Sequence, residues 1–168
     1  MSMAVLSQFK EDLDGYTERQ LRYQEATDVW SIGQMYDHII VVAEEYADEI
    51  ERCLASHEEQ PLGKTEFGER LFQAGGFPPI KIRLPDEMNQ PPNNSDKRET
   101  LERRLDELSA RLKRLEPLVR SANRYVKARH GGFGWLNAQE WYDLIEMHTR
   151  HHLRQQADLE RYLIEAEL

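Results

Sequence analysis

The chain of 168 residues predicts an all-α fold: a single domain spanning 1–168, built as a four-helix bundle with a long insert between helices two and three. Three observations carry that expectation. Apolar residues recur at helical spacing in four segments, capping residues open two of those segments, and glycine and proline gather mostly between residues 61 and 92. The length suits one domain with enough chain to bury a core. Charged residues are 32% and hydrophobic ones 39%, the balance of helices that bury one apolar stripe and solvate the rest.

The first helix is expected over roughly Met3 to Tyr23, with Leu6, Phe9, Leu13 and Tyr16 on one face. Gly15 is its weak point, because glycine costs on the order of 1 kcal/mol against alanine inside a helix. The second helix begins after Trp30, where Ser31 and Gln34 have the spacing of a capping box. Its stripe is Met35, Ile39, Val42, Tyr46, Ile50 and Cys53. Residues 55 to 95 then break the periodicity, with a short helix expected from Thr65 to Ala74 and an extended run over Ile80 to Leu84.

The third helix starts near Ser95 and carries Leu101, Leu105, Leu108, Leu112 and Leu115, a spacing of fours and threes that forms a packing seam. Glu107 and Arg111 stand one turn apart and are expected to pair. Pro117 should kink this helix, and Gly131-Gly132 should end it. Asn137 and Glu140 form a second capping-box pattern, which opens the fourth helix. Its stripe runs through Trp141, Leu144, Ile145, His148, His152, Leu159 and Leu163, and no set of strands that would build a sheet is expected.

The formal net charge of -9 argues against a general nucleic-acid binder and against docking on anionic membranes. No stretch has the apolar length of a membrane span, and Met1 to Lys10 lacks a basic segment followed by an apolar run. With one cysteine, Cys53, no intrachain disulfide can form, and a cytoplasmic, reducing setting is expected. Cys53 itself falls on the second helix's stripe, as a buried and inert thiol.

Two histidines in the middle of an apolar stripe carry the chemistry. At about 100° per residue, His148 and His152 lie about 20° either side of the stripe's centre, while His151 points about 80° away. An i, i+4 pair of this kind can place two imidazoles on one metal ion. His38, on the shoulder of the second helix's stripe, is the candidate third ligand. A hydrogen-bonded core histidine is the ordinary alternative for His38, and a structural role the alternative for the pair. Two imidazoles buried together without a metal nevertheless need partners for every ring nitrogen, which an ion resolves. Gln34 and Gln155 stand about one turn from proposed ligands and are candidates to orient them; a cap and a polar flank are their ordinary readings. Tyr36, Trp135, Trp141 and Tyr142 are candidates for pocket walls or for core, and His57 and His130 carry no assignment.

Trp30-Ser-Ile-Gly-Gln-Met-Tyr-Asp-His38 resembles the entry to the second helix of the DinB-like (DNA-damage-inducible) superfamily, and His130 through Gln155 resembles its final helix and approach. The resemblance implies up-down-down-up topology, a homodimer, and zinc, nickel or a similar divalent ion held by three histidines, here His38, His148 and His152. It departs at His130-Gly131, where the family has His-Pro, and in the longer insert before helix three.

Three protein ligands leave a coordination position open, and neutral imidazoles leave the ion its full charge for an anion such as thiolate or hydroxide. Two chemistries follow from the resemblance: S-transfer dependent on a small thiol such as bacillithiol, mycothiol or glutathione, and metal-dependent hydrolysis. Thiol transfer onto a small-molecule substrate is favoured, since no His-Glu-x-x-His pattern is present and Glu146 falls on the far side of the helix from His148. A non-catalytic metal-binding or dimerisation module is the reading from another class.

Overall fold

The computed structural model describes residues 3–80 and 90–168. Within them the chain forms α1 (Ala4–Leu13), α2 (Glu18–Arg22), α3 (Ile32–Ala55), α4 (Glu66–Ala74), α5 (Arg98–Arg120), a hairpin of β1 (Lys127–His130) and β2 (Gly134–Asn137), and α6 (Ala138–Glu165). The fold is thus mostly helical with one small two-stranded sheet. No helix among the described residues is long and apolar enough to cross a membrane.

The single first helix expected from the sequence is two. The chain leaves helical geometry around Gly15 and restarts because Thr17 and Gln20 form a further capping box: Gln20 N donates to Thr17 Oγ1 at 3.1 Å, and Thr17 N to Gln20 Oε1 at 2.9 Å. Leu6, Phe9, Leu13 and Tyr16 are buried as their spacing predicts.

At the start of α3 the Ser31 and Gln34 box forms, with Gln34 N on Ser31 Oγ at 3.0 Å and Ser31 N on Gln34 Oε1 at 2.9 Å. Met35, Ile39, Ile50 and Cys53 are buried, whereas Val42 and Tyr46 are only half-buried. Ala43 and Ala47 widen the buried face, and α3 packs against both α5 and α6.

Thr65 caps α4 by accepting from Gly68 N at 3.1 Å, and Gly75 ends it at φ 72°. Of the extended run expected at Ile80 to Leu84, residues 81–84 lie outside the described residues. Leucines 101, 105, 108, 112 and 115 of α5 are all buried. Arg111 does not pair with Glu107; it reaches across to α3, to Asp48 at 2.6 Å and Glu51 at 3.1 Å. A residue on the helix shoulder can meet a neighbouring helix, which one-helix geometry does not reveal.

Helix α5 ends at Arg120, three residues beyond Pro117, and not at Gly131-Gly132. The residues between form the hairpin that the sequence did not announce. Its pairs run from Lys127 with Asn137 to His130 with Gly134. Ala128 and Leu136 point inward, and the strands are too short to show alternation above noise. Gly134 sits at φ 86°, and a Cβ there would lie 2.6 Å from Thr65 N. The hairpin is fastened to the segment before α4 by Thr65 N on Phe133 O at 2.9 Å and Trp135 N on Gly63 O at 3.1 Å.

Candidate metal centre

Helix α3 supplies His38 from its second turn, and α6 supplies His148 and His152 from its middle. The capping boxes at Ser31 and Asn137 set where each helix starts and so which residues face the contact. Of all element pairs, α3 and α6 make the most extensive packing. His148 Nε2 lies 3.2 Å from His38 Nε2 and 3.2 Å from His152 Nε2. The three ligand atoms all fall within 4.8 Å of one another.

That spacing can be tested against an ion. Three imidazole nitrogens about 2.0–2.1 Å from a tetrahedral zinc stand roughly 3.3 Å apart, close to the two separations observed. Protonation argues the same way. Burial lowers His38 to about 4 from 6.5, against the opposing pull of Asp37. Burial and then the neighbouring His38 lower His152 to about 4, although Gln155 opposes this. His148 is lowered further by burial and by both partners. All three rings are therefore neutral near pH 7, which is the ligand form. His152 Nδ1–H donates to Gln155 Oε1 at 2.7 Å, so its Nε2 carries a lone pair toward the other two. One proton on His148 can serve only one of two facing nitrogens; a cation serves all three. The residues fit a divalent ion.

Gln155 thus stands on a proposed ligand, but Gln34 does not. Its Oε1 is engaged by Ser31 N, and its Nε2 donates to Pro92 O at 3.1 Å. The glutamine that the sequence suggested for orienting His38 instead fastens the segment before α5 onto α3. Ser31 Oγ on Asn94 Oδ1 at 2.5 Å, and Asn93 N on Asp37 Oδ2 at 3.0 Å, complete that attachment. Arg104 bridges Asp37 and Asp96, each at 2.7 Å, so Asp37 is paired with a guanidinium rather than free beside His38.

Aromatic rings wall the triad. Trp30 lies 5.0 Å from the His38 ring, Phe77 5.9 Å and Tyr46 6.3 Å from the His148 ring, centroid to centroid. Of the aromatic candidates, Tyr36 is core, with its hydroxyl on Phe9 O at 2.6 Å, and Tyr142 is buried. Trp135 lies half-buried in β2, while Trp141 is buried 5.3 Å from the Tyr46 ring. Sequence reading passed over Trp30, Tyr46 and Phe77. Tyr46 stood on the α3 stripe two turns beyond His38 and Trp30 opened the family-like segment, but neither was marked as a wall of the site. His151 points away from the triad onto Phe77 at 5.3 Å, His57 is exposed, and Cys53 is buried with its thiol pushed up to about 11 by burial.

His130, unassigned from sequence, stacks on Phe133 at 4.3 Å between centroids and reaches Tyr46 Oη with Nε2 at 3.3 Å. Two open hollows lie on the surface, neither lined by a triad histidine: one of about 330 Å³ formed by Tyr46 and Trp141 with Glu45, Asp48 and Glu49, and one of about 190 Å³ beside Phe77, Arg150, His151 and Arg154.

A mostly helical chain that converges three neutral imidazoles from two helices defines a class: helical proteins with a candidate open three-histidine metal centre. The family model of the DinB superfamily matches residues 4–156, all three histidines and Gln155 included, and the chain belongs to that superfamily. No match was found among curated proteins or among solved structures.

Proposed function

We propose that this protein is a metal-dependent enzyme that holds one divalent ion, zinc or nickel, on His38, His148 and His152, and transfers a small thiol such as bacillithiol onto an electrophilic small molecule. The observation that carries the reading is the meeting of three imidazoles, two of whose Nε2 separations are 3.2 Å, with all three ligand atoms within 4.8 Å of one another. When bound, the ion supplies a positive centre that lowers a thiol's pKa and presents it as thiolate. The sulfur lone pair then forms a carbon–sulfur bond, the leaving group departs with its bonding electrons, and the thiol proton passes to solvent.

The chain's own residues support this over hydrolysis. Among the described residues the candidate ligand cluster contains no carboxylate. Asp37 is held by Arg104, and Glu146 lies 3.4 Å from Arg150. Neither of these two acids is free to take a proton from water. Trp30, Phe77 and Tyr46 keep the surroundings apolar, which disfavours water and suits a thiol. An up-down-down-up four-helix bundle, a homodimer and a cytoplasmic location belong to the same proposal.

Elemental analysis of the untagged protein beside His38→Ala, His148→Ala and His152→Ala tests the site. About one ion per chain, lost in each variant while helicity survives, is the expected result. Monobromobimane turnover with bacillithiol, mycothiol and glutathione tests the reaction. A metal-loaded protein inert toward every thiol would point instead to hydrolysis, or to a non-catalytic metal-binding or dimerisation module.

A further inference from the structure

His130 closes the turn of the hairpin. Gly132 N at 3.0 Å and Phe133 N at 3.1 Å both donate to its Nδ1. Backbone amides can only donate, so Nδ1 must carry a lone pair, and the neutral ring has its proton on Nε2. Burial, which lowers the basicity of His130, agrees with a neutral ring. That Nε2–H faces Tyr46 Oη at 3.3 Å, so the tyrosine oxygen is the acceptor of this bond. The hydroxyl proton of Tyr46 is therefore directed elsewhere, and among the described residues no acceptor takes it. Tyr46 lies half-buried, edge-on to the ring of His148. Trp141, 2% exposed and 5.3 Å from the Tyr46 ring between centroids, also holds an Nε1–H with no acceptor among the described residues. An unclaimed hydroxyl donor on a ring that packs against a candidate ligand suits an anion held by that ligand's ion.

We infer that Tyr46, oriented by His130, donates a hydrogen bond to an anionic ligand, the thiolate of the proposed reaction, on an ion that the three histidines would hold. The inference rests on the metal reading and adds the group that would hold the sulfur. His130 is a positioning residue: its tautomer, fixed by the hairpin turn, decides which way the tyrosine proton points. A hydrogen bond to a charged acceptor is strong enough to matter for affinity. The ordinary alternative is that the His130–Tyr46 bond only ties the hairpin to α3.

The test uses the cobalt(II)-loaded protein, with azide and 2-mercaptoethanol as probes and the visible cobalt spectrum as readout. Tyr46→Phe should keep one cobalt per chain and an unchanged helical spectrum, yet bind both probes about tenfold more weakly. His130→Asn keeps an acceptor for the two turn amides and removes the donor to Tyr46. It should weaken probe binding by an intermediate factor, about threefold, which a purely structural tie would not do. Unchanged probe affinity in Tyr46→Phe with full cobalt would overturn this inference and leave the metal reading standing. A wild-type chain that takes up no cobalt, zinc or nickel would overturn both.

Discussion

His152 and Gln156 stand one turn apart on α6, both buried, and their surroundings are opposites. Gln156 Nε2 donates to Asp12 Oδ2 at 3.0 Å and to Tyr16 Oη at 2.9 Å, and Tyr16 in turn donates to Glu160. Every donor in that knot has an acceptor within the chain. At His152 only Nδ1 is satisfied by a polar side chain of another kind, and Nε2 faces two more imidazoles. The difference separates a closed polar network, which joins α1 to α6, from an open one, which could hold an ion. Burial and side-chain polarity alone would not tell them apart; the accounting of donors and acceptors does.

The comparison breaks most sharply in metal content. His148→Ala is expected to take the ion from about one per chain to none, whereas Gln156→Ala keeps it, as elemental analysis would read. If both variants lose the ion, the two regions are one unit and the distinction fails. Acid comes next. In metal-free protein His38 and His152 titrate at about 4, below the 6.5 of the unfolded chain. The unfolded state then binds more protons across that window, so stability falls as pH drops from 6.5 toward 4. Thermal melts of stripped protein should show Tm falling over this interval, and zinc should delay the fall.

Gln156→Ala should lower stability by about 1–3 kcal/mol, since it strands buried partners at Asp12 and Tyr16. Denaturant unfolding measures it. Gln155→Ala should cost the metal-free fold about 1 kcal/mol, as one buried donor loses its acceptor, and weaken zinc binding about tenfold, because His152 loses the acceptor that sets its tautomer. Competition with a chromophoric chelator reads that loss. The smallest effect on the metal is expected at Gln34→Ala: unchanged affinity, with about 1–3 kcal/mol of stability lost as Ser31 N and Pro92 O lose their partner. A clear loss of zinc affinity there would restore Gln34 to the site.

Much of the fold was legible because it rests on periodicity. The leucine seam of α5, the boxes at Ser31 and Asn137, and the short helix from about Thr65 to Ala74 all depend on local spacing. The break at Gly15 and the hairpin at 127–137 were not foreseen, for different reasons. The first turned on a capping box at Thr17 hidden inside an apolar pattern, and the second on contacts with residues 63–65, far away in sequence. At the site, the i, i+4 histidines announced themselves. Gln155, three residues from His152, lay within helical reach and meets it. Gln34 lay equally near His38, but Pro92 and Ser31 claimed it, and no local spacing records such competition. His130 was silent because its role depends on a turn and on a tyrosine 84 residues away.

His38 and His148 are 110 positions apart in the chain. An ion on both would be a staple as well as a reagent, closing a loop of a size for which a covalent cross-link removes on the order of 4–5 kcal/mol of unfolded-chain freedom. The chain has a single cysteine and so no disulfide of its own to do this. Its folded lifetime would then rise and fall with the supply of free metal.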